Sequence, residues 1–567
     1  MNILKLFLCS LLLLATPSLY QLNAQVHYDW SVSQGGKESD FTGSLRADDQ
    51  GHLYTMCYIT DTADLDPGIG ETILIPWFDE TTVLTKWTTE GEFLWSSVFQ
   101  APGEHGGSIH QIKNNSILVT LYYEDSLVYV RNNIPTNLVA LPGKHLSFVT
   151  LDLNGNITSF HNYPNQREFY FNTLEQRADG LYTGCGSFSD SLVIQTSHGD
   201  STIYPIGDND GFIMTMNDQW ETVWIRTFGS DESDYVTDLV FANNQIYFVV
   251  SYNDTLTVNT ASGQVTFPCT EGEENSLFGT MTLNGEAVKV HSFGGDLYDE
   301  LRAIASDTDG NIYLVGSFEG SVNFQHPDAP PVVFTSSNYN EGFIAKYSPD
   351  GFLEWARIIK NSEYGGMHNI RLHRDQSLYV TGGYNGHTDL DPGPDSLIVE
   401  TTNWGDIYSA KFDKEGNMEW VYNFVGEDLE GIRQQVISPD GRIYLVGFHY
   451  DTFDADPSAE IAMVPNKGGT DMFLLAYTEE NVITSAEGPS VFDLTLSPNP
   501  STSTVYLSTN SQIETVWLYT MEGVQVQIPI EISSNKATME VSALQPGMYI
   551  ARVKSGDAYT SCRFLKL

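Results

Sequence analysis

The chain has 567 residues, a formal net charge of −46, and 41% hydrophobic and 12% aromatic residues. This hydrophobic fraction is enough to bury a core, which excludes an intrinsically disordered chain, and the length calls for several domains or one large repeat domain with a smaller one. The excess of acidic side chains excludes nucleic acid as an expected partner, because a surface of this sign repels phosphate.

The first 25 residues have the pattern of a signal peptide. Lys5 precedes an apolar run over residues 6–15, and Leu22-Asn23-Ala24 resembles a cleavage site with small residues. We therefore predict that residues 1–25 are a signal peptide and that the mature chain starts near Gln25. No later window contains 18 or more apolar residues, so the sequence predicts no transmembrane segment.

A short strand of apolar and aromatic residues recurs seven times at intervals of 64 to 66 residues. It starts at Leu53, Ile117, Leu181, Ile246, Ile312, Leu378 and Ile443. A second marker, the end of a glycine-turn hairpin, keeps the same period and falls at Trp30, Trp95, Phe160, Trp224, Val290, Trp355 and Trp420. Two markers in phase over seven cycles indicate an internal repeat.

Each repeat is predicted to contain four antiparallel strands, which in the fifth repeat are residues 301–305, 312–318, 342–347 and 352–358. Four strands cannot bury both faces of their sheet alone, so the units must stack, and radial stacking produces a propeller. We therefore predict an all-β fold with a seven-bladed β-propeller over residues 26–480. The last repeat lacks a Trp strand, so the strand around Trp30 is expected to complete the seventh blade.

Two cysteines fit this repeat. Cys57 and Cys185 each lie four residues after a marker, where other repeats have glycine. We predict that they are buried small residues in the first and third blades, too far apart for a disulfide, and that they are free thiols.

An Asp-x-Asp motif begins about 11 residues after the marker strand in three repeats. Alternate carboxylates on an extended segment supply the oxygen ligands that Ca²⁺ prefers. The candidate calcium ligands are Asp64, Asp66, Asp389, Asp391, Asp454 and Asp456. The alternative is a turn, since Asp before Pro-Gly is a common turn former and no third acidic ligand follows at calcium-loop spacing. No other cofactor is predicted.

Acidic residues also recur 12 or 13 residues before the marker strand. They are Asp40, Glu104, Glu168, Asp234, Asp299 and Glu430, with Gly365 at the remaining position. The strand order places them near the start of the innermost strand, so one hypothesis is a ring of carboxylates at one mouth of the channel that attracts a cation or cationic ligand. The alternative is a repeated turn-capping residue.

Two hairpins, residues 347–355 and 412–420, resemble the Asp-x-x-Gly-x-x-x-Trp blade ends of quinoprotein dehydrogenases. The resemblance implies a quinone-dependent dehydrogenase as one functional interpretation. The structural interpretation is that Gly forms the hairpin turn and Trp packs between neighbouring blades. We favour the structural one, because those dehydrogenases have eight blades and this sequence has no vicinal cysteines or metal-binding cluster.

The repeat stops after Glu479. A polar linker, residues 481–489, leads into alternating strands that predict a small Ig-like β-sandwich over residues 490–567. Its motifs resemble the type A C-terminal sorting domain of type IX secretion cargo, on Pro498, Asn499, Pro500, Gly523, Gly547, Tyr549 and Lys566. The resemblance implies docking on an outer-membrane translocon, processing by a sortase-like protease, and a final location at the outer cell surface or in the medium.

The sequence contains no nucleophile elbow, phosphate loop, pair of zinc histidines or Cys-x-x-Cys motif. We therefore predict a monomeric, non-catalytic binding or scaffold protein that recognises a glycan, protein or cation through loops at one end of the blades. The competing interpretation is a secreted carbohydrate-active enzyme, because 73 acidic residues always offer carboxylate pairs and only geometry selects a catalytic pair.

Overall fold

The computed structural model describes most of the chain. The described residues are 25–68, 70–103, 106–164, 169–269, 273–295, 297–326, 328–336, 339–361, 363–393, 396–401, 405–424, 426, 431–438, 441–456, 461–480, 494–498, 500–509, 512–520, 525–555 and 558–567. Within them every regular element is a β-strand, which confirms the predicted all-β class, and no helix there could cross a membrane. The chain divides into two compact units, Met1–Glu480 and Asn481–Leu567.

The first unit contains strands β1 to β40. The first twenty are β1 (Gln25–Gln34), β2 (Phe41–Ala47), β3 (Leu53–Ile59), β4 (Ala63–Asp64), β5 (Ile73–Leu74), β6 (Thr81–Trp87), β7 (Phe93–Gln100), β8 (Gly106–Lys113), β9 (Ser116–Arg131), β10 (Ile134–Asp152), β11 (Ile157–Pro164), β12 (Phe169–Gln176), β13 (Tyr182–Phe188), β14 (Leu192–Ile194), β15 (Ser201–Ile203), β16 (Asp210–Met216), β17 (Thr222–Phe228), β18 (Asp234–Ala242), β19 (Gln245–Tyr252) and β20 (Leu256–Thr260). The others are β21 (Gly263–Phe267), β22 (Asn275–Thr282), β23 (Ala287–Phe293), β24 (Asp299–Ser306), β25 (Ile312–Phe318), β26 (Ser321–Asn323), β27 (Val333–Thr335), β28 (Glu341–Tyr347), β29 (Leu353–Asn361), β30 (Gly365–Leu372), β31 (Leu378–Tyr384), β32 (His387–Asp389), β33 (Ile398–Glu400), β34 (Asp406–Phe412), β35 (Met418–Phe424), β36 (Gly431–Ile437), β37 (Arg442–His449), β38 (Phe453–Asp454), β39 (Met463–Val464) and β40 (Asp471–Glu480).

Seven groups of four antiparallel strands follow one another in the described part of this unit. They are β2-β3-β6-β7, β8-β9-β10-β11, β12-β13-β16-β17, β18-β19-β22-β23, β24-β25-β28-β29, β30-β31-β34-β35 and β36-β37-β40-β1. In the last group the N-terminal strand pairs with β40, with Gln25 opposite Glu480 and Gln34 opposite Met472. The sequence prediction that the Trp30 strand pairs with the last repeat is confirmed.

In six groups a short outer hairpin follows the second strand. The sequence predicts four strands for each repeat and does not predict these hairpins. They are β4–β5, β14–β15, β20–β21, β26–β27, β32–β33 and β38–β39. In the second group, β9 and β10 themselves extend outwards. The extension joins two sheets, because Val98 of β7 pairs with Val130 of β9.

The first strands of the seven groups form a closed ring. These strands, here called the axial strands, are β2, β8, β12, β18, β24, β30 and β36, and each contacts the next, with β36 contacting β2. An axial strand is the edge of its own sheet, so one row of its backbone groups lacks ladder partners. Side chains of the neighbouring axial strand bond to some of these backbone groups. Asn172 Nδ2 donates to the Val236 carbonyl (3.0 Å), and Thr237 Oγ1 donates to the Leu301 carbonyl (3.3 Å).

The repeated Trp and the repeated hairpin glycine are two sides of one contact between sheets. Trp355 Nε1 donates to the Lys414 carbonyl in the next sheet at 3.2 Å. A Cβ on Gly416 would lie 2.8 Å from the Trp355 ring, and Gly416 has a φ of 77°, so only glycine fits there without strain. The same ring contact is made by Trp30, Trp95 and Trp224 with Gly91, Gly155 and Gly285. The structural interpretation of the quinoprotein-like hairpin is that Gly forms the turn and Trp packs between neighbouring units. These contacts agree with that interpretation.

The second unit contains two four-stranded antiparallel sheets, β41-β42-β46-β45 and β44-β43-β47-β48. The strands are β41 (Leu494–Ser497), β42 (Thr504–Thr509), β43 (Thr515–Thr520), β44 (Gln525–Val526), β45 (Ile530–Ser533), β46 (Lys536–Glu540), β47 (Gly547–Ser555) and β48 (Ala558–Lys566). Buried side chains of both sheets, such as Leu507 and Val553, belong to one hydrophobic cluster. The final residue is tied to the start of the unit, because Leu567 N donates to the Ser501 carbonyl at 2.9 Å.

Candidate functional site in the axial cavity

A cavity of about 610 Å³ lies inside the ring of axial strands, and every axial strand contributes to its wall. This space, here called the axial cavity, is lined by Gly43, Ser44, Arg46, Ser108, Ile109, Phe171, Asn172, Thr237, Glu300, Arg302, His368, Asn369, Gly431, Ile432, Arg433, Gln434 and Phe448. Its volume is within the range of small-molecule sites. The cavity therefore requires the whole ring and cannot belong to one repeat.

Each axial strand carries a β-bulge, an extra residue without a partner on the adjacent strand. The bulged residues are Gly43, His110, Asn172, Thr237, Arg302, His368 and Arg433. A bulge re-aims a side chain and is frequent beside functional sites. All of these residues except His110 line the axial cavity. His110 is instead buried, with its Nε2 2.8 Å from Thr120 Oγ1.

Two arginines and a histidine dominate the chemistry of the cavity wall. Arg302 forms an ion pair with Glu300, with 2.6 Å between Nη2 and Oε2. The Arg433 guanidinium lies over the Phe448 ring, 5.1 Å from its centroid. Burial, with Arg302 and Arg433 nearby, lowers the pKa of His368 to about 3, so this imidazole is neutral at physiological pH.

A second set of charged side chains lies on the axial strands, and of these Arg46 also lines the axial cavity. Arg46 donates from Nε to the His110 carbonyl (3.0 Å) and from Nη1 to Gln434 Oε1 (2.8 Å). Burial lowers the pKa of Arg46 to about 10 and raises the pKa of Glu175 and Asp238, while Arg371 opposes the increase at both carboxyls. Glu175 and Asp238 balance the two arginines, so this layer has no net charge when all four are ionised.

The described residues of the predicted acidic ring do not line the axial cavity. Asp40, Asp234 and Asp299 are fully buried. Asp40 accepts the N–H groups of Gly36 (2.6 Å) and Thr60 (2.8 Å). Burial raises the pKa of all three carboxyls, for Asp234 and Asp299 to about 7.

Asp299 accepts hydrogen bonds in the same way, from the N–H groups of Gly295 (2.6 Å) and Glu319 (3.2 Å). These contacts fit the turn-capping alternative. Glu104, Glu168 and Glu430 lie outside the described residues. Cation binding by this set of acids stays a prediction.

The three Asp-x-Asp motifs close the outer hairpins. Asp64 Oδ1 accepts the N–H groups of Asp66 (3.1 Å) and Thr72 (2.8 Å), and Asp66 Oδ1 accepts that of Gly68 (3.0 Å). The same bonds to the first acid recur at Asp389, from Asp391 and Leu397, and at Asp454, from Asp456 and Ala462. The residue between the two acids, Leu65, Leu390 or Ala455, is buried. Loop closure therefore accounts for the repeated motif, and calcium binding stays a prediction.

The cysteines lie where the repeat predicts. Cys57 in β3 and Cys185 in β13 are fully buried free thiols, and burial raises the pKa of both. Cys269 is half-buried, and its thiol donates to the Glu273 carbonyl at 3.5 Å.

The residues of the sorting motif are spread over the second unit. Tyr549 is buried, and its hydroxyl donates to the Gln545 carbonyl at 3.0 Å. Gly547 and Lys566 are opposite each other on β47 and β48. Pro498 and Pro500 flank Asn499, which lies outside the described residues, as does Gly523.

The sequence analysis missed the cavity wall. It selected acidic residues at or just before the start of six axial strands, whereas the cavity is lined by residues several positions further along. The side chains at those positions differ from repeat to repeat: Gly43, Asn172, Thr237, Arg302 and Arg433. A search for the most variable position of a repeat, rather than for the most constant one, would have found them.

Comparison with known proteins identifies the end of the chain. Residues 495–566 match the family described as the secretion system C-terminal sorting domain. The chain is also 26% identical over 166 residues to an uncharacterized WD repeat-containing protein of Acanthamoeba polyphaga mimivirus, covering 26% of this chain. The match spans only 12% of that protein's length. The all-β repeat and the WD-repeat relative support a propeller-type protein.

Two solved structures are also similar. One is a protein of unknown function from Dyadobacter fermentans, with a TM-score of 0.34 and 12% identity, covering 66% of this chain and 93% of that one. The other is the plexin A4 extracellular region, with a TM-score of 0.36 and 9% identity, covering 95% of this chain and 62% of that one.

Proposed function

Because residues 495–566 are a sorting domain that marks proteins exported by type IX secretion to the cell surface or extracellular space, we propose that this protein is an exported, non-catalytic binding protein. Its ligand enters the axial cavity. Residues 1–25 direct export as a signal peptide, and residues 490–567 engage the translocon and the sortase. The mature protein acts as a monomer.

We also propose that residues 26–480 are a seven-bladed β-propeller and residues 490–567 an Ig-like sandwich, joined by the linker 481–489. The seven groups of four strands and the closed ring of axial strands support the first assignment. The two packed sheets of β41 to β48 support the second. The division of the chain after Glu480 supports the boundary between them.

The composition of the cavity wall supports binding rather than hydrolysis. Glycoside hydrolysis needs two carboxyl groups, about 5 to 10 Å apart, on either side of the scissile bond. Among the described lining residues Glu300 is the single carboxylate, and Arg302 already pairs with it. A wall with three arginines, amides and hydroxyls offers hydrogen bonds to a ligand without a catalytic pair.

The proposal is tested by filling the cavity. The full chain is screened on a glycan array, and the best-bound glycan is titrated against wild type and Ser108→Trp. Ser108 lines the cavity, so the indole should exclude the ligand and lower its affinity at least tenfold. Thr202→Trp, at an exposed position of β15, is the matched control and should bind like wild type.

Equal binding by Ser108→Trp and wild type would place the ligand elsewhere and contradict the proposal. Release of reducing sugar from the bound glycan by wild type would favour the competing carbohydrate-active enzyme.

A further inference from the structure

We propose that the axial cavity selects an acidic sugar, a small polyhydroxylated ligand that carries a carboxylate. This inference rests on the proposed binding function and adds the chemical class of the ligand. Arg302 and Arg433 would hold the carboxylate, and the hydroxyl and amide groups of the same wall would hold the sugar hydroxyls.

The first argument is the local sign of charge. The chain carries 73 acidic and only 27 basic residues, yet among the described lining residues Arg302 and Arg433 face Glu300 as the single carboxylate. The third arginine of the wall, Arg46, does not add to this excess, because Glu175 and Asp238 balance its layer. Among the described residues, Arg433 has no carboxylate within ion-pair distance. The wall is thus positive inside a strongly negative protein, which is the reverse of the cation-attracting channel considered from the sequence.

The charge of the outer surface does not cancel this local effect. At physiological ionic strength exposed charges are screened over about 8 Å, whereas groups enclosed by protein are screened less. A small anion inside the cavity therefore interacts mainly with the wall. A polyanion that also covers the outer surface would meet the repulsion of the acidic exterior.

The second argument is that both guanidinium groups are held in place. Arg302 is fixed by Glu300 at 2.6 Å, and its side chain is 35% exposed. Arg433 is an exposed bulge residue that lies on the Phe448 ring. A planar guanidinium group that is already oriented loses little conformational entropy when it binds a carboxylate. Arg302 on β24 and Arg433 on β36 flank His368 of the intervening strand β30, and both act on its pKa. Two oriented guanidinium groups around one position of the wall favour a directed anion site.

The third argument is the rest of the wall, which suits a sugar. Ser108 contributes a hydroxyl and Asn369 an amide, while Phe171 and Phe448 contribute apolar ring surface. Sugars present hydroxyl groups on their edges and C–H groups on their faces. A cavity of about 610 Å³ accommodates one or two sugar residues rather than a long chain segment.

The test compares an acidic sugar with its neutral counterpart. Methyl glucuronide and methyl glucoside are titrated against the full chain by isothermal calorimetry or ligand-observed NMR. Wild type is expected to bind the glucuronide at least tenfold more tightly. Arg433→Gln should lower the affinity for the glucuronide and remove that preference, and Arg226→Gln, on an exposed outer position of β17, should keep it.

The outcomes separate this inference from the proposed function. Equal binding of both sugars, lost in Ser108→Trp, would overturn the acidic class and leave the cavity as the binding site. Glucuronide binding that is unaffected by both Ser108→Trp and Arg433→Gln would overturn the two proposals together. A preference for a 6-sulfated glucoside over the glucuronide would contradict the inference that the anionic group of the ligand is a carboxylate. Arg433→Gln changes an exposed side chain, so its fold can be verified by an unchanged thermal midpoint.

Discussion

Single residues in this protein are tightly constrained where a Trp ring meets the hairpin glycine of the following sheet. Trp355 and Gly416 illustrate the contact, since the indole occupies the place of a Cβ and also donates a hydrogen bond to the hairpin backbone. The repeated Trp and the repeated hairpin glycine therefore share one period, because each of these Trp rings contacts a glycine of the following sheet. Conservation of the spacing within the chain follows from packing alone.

We expect Gly416→Ala to destabilise the first unit. The left-handed conformation costs Ala about 1–2 kcal/mol, and the new methyl group overlaps the Trp355 ring, which adds about 1–3 kcal/mol. Gly180→Ala is the matched control, because Gly180 has a φ of 88° but no heavy atom within 4 Å of its Cβ position. Thermal unfolding of the full chain measures both. Equal losses in the two variants would contradict the packing role.

Buried Asp299 is expected to make stability depend on pH. Burial raises the pKa of its carboxyl from 3.8 to about 7, so the folded state binds the proton more readily than the unfolded state. Its contribution to stability is complete below the unfolded pKa and is lost as pH rises from about 4 through 7, with a slope of at most about 1.4 kcal/mol per pH unit. Asp299→Asn stays neutral and should flatten this part of the profile.

The measurement is the urea midpoint of wild type and Asp299→Asn between pH 4.5 and 8. Asp309→Asn, in an exposed turn, is the control and should follow wild type. Parallel profiles for all three proteins would show that Asp299 does not carry the effect.

At the scale of elements, the axial strands explain how similar repeats produce a site that no repeat contains. Each strand is paired within its sheet on one edge only, and in six of the seven strands the bulged residue lines the cavity. The remainder of the repeat is fixed by the core, so the bulge position is free to vary. Arg302 and Arg433 occupy equivalent bulges in which other repeats have Gly43 or Thr237.

The N-terminal strand β1 is the element that closes the ring. It pairs with β40, and its Trp30 donates to Thr89 of the first sheet at 3.0 Å, so one strand joins both ends of the unit. We expect Trp30→Ala to lower the thermal midpoint and to make limited proteolysis release an N-terminal segment. Trp355→Ala removes the same contact within the ring and should lower the midpoint without releasing that segment. Identical fragment patterns, seen by mass spectrometry, would contradict a special role of β1 in closure.

At the scale of the whole molecule, the excess of acidic residues has different consequences outside and inside. On the outside, a net charge of −46 keeps an exported protein soluble and repels polyanions. Among the described carboxylates of the axial strands and the turns before them, Asp40 and Asp299 are buried as acceptors of backbone N–H groups, and Glu300 is paired with Arg302. The described wall of the cavity is thereby left with the opposite sign from the surface.

The sequence by itself determined the all-β class, the repeat, the role of Trp30 in pairing with the last repeat, and the sorting domain. Each of these depends on residues close together in the chain, and seven copies of a weak pattern reinforce one another. The strands of the fifth repeat, predicted at 301–305 and 312–318, are observed at Asp299–Ser306 and Ile312–Phe318.

Only the tertiary structure decided which residues line the cavity. A bulge such as that at Arg302 depends on the register between two strands, which the local sequence does not specify. The cavity wall combines positions as far apart as Gly43 and Arg433, so its charge is a property of the closed ring. Burial also depends on the tertiary structure. Nothing in the local sequence predicts that Asp299 is buried, but in the fold its carboxyl is enclosed and accepts hydrogen bonds from backbone N–H groups.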